Sequence, residues 1–211
     1  NQVEFMGEWE DMEVIEETIK VNGGEDVVLP VYITRHGPII NDLTDAEETD
    51  PLAFQWTAQE PSRILPSVIL IDQAQNFEEF RNALSYWDTP SQNVIYADKQ
   101  GNIGYQTPSR IPIRKNGDGL VPVPGWTGEY EWEGFVPYDE LPTLYNPDDG
   151  VIVTANHAVV DEEYPYFLAY DWADGDRGQR IEDMIAARLD NDGKINAADI
   201  AAIHFDSKSF P

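Results

Sequence analysis

Ser91-Gln-Asn-Val-Ile-Tyr-Ala-Asp98, then Lys99-Gln100, then Gly101-Asn-Ile-Gly-Tyr105, is the stretch from which the fold is read. Apolar and aromatic residues on both sides of Lys99-Gln-Gly101 predict two strands, Asn93 to Asp98 and Asn102 to Gln106, joined by a tight hairpin. Just upstream the period changes. Phe77, Phe80, Ala83, Leu84 and Trp87 fall on one face of a helix that Asn76 opens, with Glu79 three places on as in a capping arrangement, and Pro90 ends it.

Working outward, Met12 to Val21 and Val27 to Thr34 flank Asn22-Gly-Gly24, whose tolerance of positive φ suits a second hairpin. Residues 41–51, rich in acidic residues and Thr, read as a solvated loop, and Leu52 to Ala58 as a strand. Residues 108–150, dense in Pro, Gly and Trp, read as long loops packed by their own aromatics. Val151 to Ala155 is expected to be a short buried strand that delivers Asn156. Arg177 to Arg188 and Asn196 to Ile203 are expected helices around the turn Asp190-Asn-Asp-Gly193. The fold class is α+β, rich in antiparallel strand.

Bulk composition narrows the function. The 211 residues carry 40 Asp and Glu against 13 Lys and Arg, a formal charge of -27, and contain no cysteine. Such a field repels phosphate backbones and anionic lipid, so nucleic acid and membrane partners are not expected. No apolar run reaches the length of about eighteen residues that a spanning helix needs. Without cysteine, thiol catalysis and thiolate metal sites are excluded within these residues. Sparse lysine with abundant carboxylate fits a salt-adapted protein, in which counter-ions screen the self-repulsion; an ordinary acidic extracellular protein is the alternative.

Further strings join the first. They are Thr34-Arg-His-Gly-Pro38, Pro122-Val-Pro-Gly-Trp126, Val153-Thr-Ala-Asn156 and Trp172-Ala-Asp-Gly-Asp-Arg177. In this order the set resembles the β-chain of penicillin acylases, N-terminal-nucleophile amide hydrolases, over nearly the whole chain. The resemblance implies part of an αββα sandwich lacking the nucleophile strand. Residues 1–51 would form a strand-rich lobe, 52–188 part of the central sheet with its aromatic loops, and 189–211 the start of a helical region.

It also implies a chemistry. An N-terminal serine would attack the amide carbon, form an acyl-enzyme and release it by water, as in the cleavage of penicillin to 6-aminopenicillanic acid. This chain begins with Asn1, so that serine is expected upstream and the 211 residues alone are expected to be an inactive fragment. Asn156 matches the family's oxyanion asparagine, and a neutral, rigidly held carboxamide is physically suited to that task. Arg177 matches an arginine that orders it, a planar cation able to hold the amide oxygen while leaving the nitrogen free. Trp56 and Asn93, with Gln92 beside it, match positions bordering the acyl pocket.

The implied partners are a small-molecule amide substrate and the remaining segments of the precursor, its α-chain and the rest of the β-chain. No organic cofactor is implied, and the implied compartment is periplasmic or extracellular. His36 is read as a structural histidine, since the family's base is the nucleophile's own α-amine. Calcium occurs in some relatives, but these residues do not support it. Asp190, Asp192, Gly193, Ile195 and Asp199 fit a calcium loop whose first position falls on Arg188, and Tyr164-Pro165 is followed by Tyr166, Phe167 and Leu168 rather than by an acid. A non-catalytic module, dockerin-like or carbohydrate-associated, with Trp126, Tyr130 and Trp132 as a contact platform, is the alternative reading. If salt adaptation is real, circular dichroism should show the fold weakening as salt is withdrawn; an unchanged fold in dilute buffer rules it out.

Overall fold

The computed structural model describes residues 1–41 and 50–208. A hairpin of β1 (Gln2–Phe5) and β2 (Glu8–Asp11) opens the chain, turning at Met6 and Gly7, both at positive φ. Positive φ at both central residues is the geometry of a tight two-residue hairpin, and Gly7 was its one sequence signal. Next, β3 (Glu13–Ile19), β4 (Val27–Thr34) and β5 (Gly37–Pro38) form an antiparallel sheet in that order. The turn between β3 and β4 is the expected one, with Gly23 at φ 77° and Gly24 N–H donating to Val21 O at 3.2 Å.

Of the expected 41–51 loop, residues 42–49 lie outside the described residues. Its ends are tied by Asn41, whose Nδ2 donates to Asp50 O and whose Oδ1 accepts from Leu52 N–H. The strand expected over Leu52 to Ala58 is not formed. Ala53 makes a single bridge to Ile39, and residues 57–59 close a 3-10 turn, because Gln59 Nε2 donates to Phe54 O and bends the chain away.

Helix α1 (Ile64–Gln73) has no sequence counterpart above. Its apolar residues run without a helical period, and Leu65, Val68 and Ile69 are exposed, so no amphipathic face advertises it. Helix α2 (Phe77–Leu84) begins as the sequence predicts, with Asn76 Oδ1 accepting from Glu79 N–H at 2.9 Å. It ends at Leu84, one turn before Trp87. Its apolar face, Phe80, Ala83 and Leu84, is buried, and the Ser67 hydroxyl of α1 donates to Ala83 O at 2.9 Å.

That face lies on the sheet of β6 (Val94–Ala97), β7 (Ile103–Gln106) and a later strand over Thr143–Tyr145. Phe77 stacks on Tyr145 at 4.6 Å between ring centroids and packs on Tyr96 at 5.4 Å. Gly104 makes this approach feasible, since a Cβ there would stand 2.3 Å from the Phe77 ring. The β6–β7 turn is built around the Asp98 carboxylate, which accepts from Gln100 N–H, Asn102 N–H and Asn102 Nδ2.

Residues 108–150 are more regular than loops. They hold the antiparallel pair β8 (Pro112–Arg114) and β9 (Trp132–Phe135), then β10 (Thr143–Tyr145), which pairs with β7. The strands are short, and Pro and Gly at their ends mask their pattern. Val151 to Ala155, expected as a strand, has no ladder partner among the described residues, although Ala155 is buried. Helix α3 (Asp176–Asp192) is longer than expected at both ends and stops at Gly193, φ 63°.

Helix α4 (Ala197–His204) is capped by Asn196, and Asp199 answers by accepting from Asn196 N–H. Arg188 Nε stands 3.5 Å from Asp199 Oδ1. The first and twelfth positions of the calcium pattern are thus paired with each other. A bidentate pair, Arg180 with Asp206, closes the two helices together.

Asp88 couples these parts. Its carboxylate accepts from Arg63 N–H at 2.8 Å and Nη2 at 2.9 Å, and its carbonyl from Arg110 N–H at 2.8 Å, fixing the start of α1 and the segment after β7. Burial alone would push the Asp88 carboxyl up, but hydrogen bonds and charge from Arg63, with Arg110 adding to them, hold it below the ordinary carboxylate range. A lowered folded value stabilises above the unfolded pKa of about 3.9 and is lost as pH falls through the folded one. Asp88→Asn should therefore lower the urea midpoint at neutral pH, with the gap to wild type closing in acid. A gap that stays constant from about pH 7 to about pH 3 would refute this.

Candidate active site

Asn156 stands at the end of the extended 151–155 segment, at φ 65°. Left-handed backbone is costly for most residues but accessible to asparagine, and here it turns the chain out of the extended run. Ala173 N–H donates to Asn156 O at 3.0 Å and closes the segment that follows. Arg177, in the first turn of α3, reaches back. Its Nη2 donates to Ala155 O at 2.9 Å and to Asn156 Oδ1 at 2.8 Å.

One guanidinium nitrogen thus grips both the backbone and the side chain of this corner. Asn156 Nδ2 is left without a hydrogen-bond acceptor among the described residues. The side chain is exposed rather than dry. Its orientation therefore comes from Arg177 and not from enclosure.

Asn156 lines a cleft of about 410 Å³. Gln92, Asn93, Thr107, Thr154 and Trp172 line it too, with Leu168 and Ile111 adding apolar surface. No carboxylate lines it among the described residues. Asn93 is held from behind: the Tyr105 hydroxyl donates to Asn93 Oδ1 at 2.5 Å and also lies 2.5 Å from Thr107 Oγ1. Burial pushes the Tyr105 phenol up, with the Thr107 contact opposing, so the phenol stays a neutral donor.

The structure therefore brings Gln92, Asn93 and Asn156 to one cleft and sets Arg177 behind Asn156. Trp56 stands elsewhere. It is exposed, 5.9 Å from the Phe54 ring at the entry to the 57–59 turn, and does not line this cleft. His36 is also remote, with Nε2 2.7 Å from Glu131 Oε1, linking the β4–β5 turn to the residue before β9. Tyr105, Thr107, Leu168 and Trp172 were not singled out from the sequence. Tyr105 sits inside the decisive hairpin string, whereas nothing in its spacing points to Leu168.

Comparison with known proteins gives the chain a family. The penicillin amidase family profile matches residues 1–211. The chain belongs to the penicillin amidase family. An acyl-homoserine lactone acylase QuiP from Pseudomonas fluorescens (strain Pf0-1) is 32% identical over 210 residues, covering 96% of this chain and 24% of that protein. Penicillin acylase 2 proenzyme from Pseudomonas sp. (strain SE83) is 31% identical over 206 residues, covering 97% and 26%.

Among solved structures, the thermostable penicillin G acylase from Alcaligenes faecalis superposes with a TM-score of 0.72 at 27% identity, covering 96% of this chain and 35% of that one. The α+β fold read from the sequence is that of this relative. The chain spans about a quarter of the length of the curated relatives it matches.

Proposed function

We propose that the full-length protein hydrolyses the amide joining an acyl group to an amine, a reaction class its relatives' names carry: acyl-homoserine lactones for one, penicillins for another. The observation that carries this reading is the Arg177–Asn156 pair, 2.8 Å from Nη2 to Oδ1 at the rim of a neutral cleft. An oxyanion forming on the attacked amide carbon needs a donor already in place. A carboxamide held by its oxygen presents its N–H groups with little left to reorganise.

In this reading a serine not supplied by these 211 residues, exposed by processing of a precursor, attacks the carbonyl and loses its proton to its own α-amine. Asn156 Nδ2 donates to the oxygen as charge develops. Collapse of the intermediate breaks the carbon–nitrogen bond, the amine leaves with a proton, and water cleaves the resulting ester. Arg177 does not touch the substrate; it keeps Asn156 aimed. Gln92 and Asn93 border the acyl group, with Leu168 and Trp172 supplying apolar wall. Trp56 can join that wall only through other segments of the protein, such as the α-chain and the rest of the β-chain. The strongly acidic surface fits a protein working in salt, outside or at the edge of the cell.

Two outcomes test the reading. In the full-length protein, Asn156→Ala should lower kcat on the order of a hundredfold with folding intact, measured on a chromogenic acyl-anilide. A near-normal rate would remove Asn156 from the mechanism. The isolated 211-residue chain should not turn the same amide over, because an oxyanion donor without a nucleophile retains little of the rate. Robust hydrolysis by that chain would place the nucleophile inside it and overturn the proposed serine.

A further inference from the structure

Two buried side-chain polar atoms lack a hydrogen-bond partner among the described residues: Thr154 Oγ1 and His157 Nδ1. Both lie on the four residues that carry Asn156. A buried polar atom left unmatched costs free energy, so its position calls for a structural reason. For His157 that reason lies in α3. A Cβ built on Gly178 would stand 2.7 Å from His157 Nδ1 and 2.8 Å from Cε1, so the imidazole occupies the space that any other residue's Cβ would need.

Gly178 is otherwise hard to explain. It is buried in the first turn of a helix, where alanine is the better helix former. Its backbone is not at positive φ, so no left-handed conformation requires glycine. What the missing Cβ admits is the ring of His157. The Nδ1 edge also meets the first turn of α3, whose N-cap residue Gly175 makes no side-chain cap hydrogen bond among the described residues.

The contact is in register with the site. Arg177 Nη2 reaches Asn156 Oδ1 at 2.8 Å, and the next residue of each segment, Gly178 and His157, meet through ring and Cα. Two adjacent contacts fix both the separation and the rotation of α3 relative to the Asn156 corner. We infer that His157 is a positioning residue whose ring, seated on the bare Cα of Gly178, sets α3 at the distance from which Arg177 holds the Asn156 carboxamide. Its effect on turnover rests on the amidase reading; its effect on geometry does not.

The test uses the full-length protein and three variants: Gly178→Ala, His157→Ala and the double variant, each crystallised and assayed. Gly178→Ala should force ring and helix apart, lengthen the Arg177–Asn156 contact beyond about 3.5 Å, and lower kcat about tenfold or more while KM stays within about threefold. A purely structural role would instead lower the melting temperature and leave kcat alone.

His157→Ala removes the spacer and should also lower kcat. The double variant should be no slower than His157→Ala, since the added methyl then meets no ring. Gly178→Ala with an unchanged contact and an unchanged kcat overturns the inference, as do two penalties that simply multiply. If the wild-type protein cleaves no amide, the amidase reading falls, and the Arg177–Asn156 distances in the crystals still decide the positioning role.

Discussion

One guanidinium group carries the architecture of the site. Arg177 Nη2 donates to two oxygens on consecutive residues, Ala155 O and Asn156 Oδ1, and so ties the first turn of α3 to an extended segment that has no ladder partner among the described residues. A lysine could supply the charge but not a rigid planar fork, and its flexible stem would have to be ordered at each visit. Because Asn156 is exposed, this pair is the side chain's restraint. The left-handed backbone at Asn156 and the bond from Ala173 N–H then set where the corner points.

The part of the cleft that holds Asn93 is positioned by a separate chain of contacts. Asp88 fixes Arg63 and Arg110, the buried face of α2 fixes the β6–β7 sheet, and Tyr105 on that sheet holds Asn93. Local signals built this half: a cap at Asn76, a turn at Gly101, a bare Cα at Gly104. Both sides use contacts about twenty residues apart in sequence, but the Asn156 side, joined between residues 155–157 and 177–178, has no comparable cap or glycine turn to announce it.

That contrast explains what was legible beforehand. The α2 cap, both Gly-centred hairpins and the two C-terminal helices follow from residues near one another, and the sequence displays them. Helix α1 was hidden because its apolar residues do not alternate faces, and β8 to β10 because strands of three or four residues flanked by Pro and Gly look like loop. Leu52 to Ala58 and Val151 to Ala155 have the composition of strands but no neighbour to pair with in the described chain, beyond the single Ile39–Ala53 bridge. Strand composition specifies a strand only where an edge is offered. Gln92, Asn93 and Asn156, which line the cleft, and Arg177, which bonds Asn156, were singled out beforehand from the quoted strings. Tyr105 and Trp172 were not, because support and apolar lining have no spacing rule.

The charge of -27 raises an electrostatic question for any reaction that develops an anion here. Distance and screening decide it. A unit charge about 20 Å away through water acts with only about 0.2 kcal/mol before salt, and the Debye length of about 8 Å at physiological ionic strength removes most of that. A cation within about 4 Å, at the effective dielectric of a protein surface, acts with about 4 kcal/mol. The cleft lining contains no carboxylate among the described residues, and a permanent cation lies directly behind Asn156.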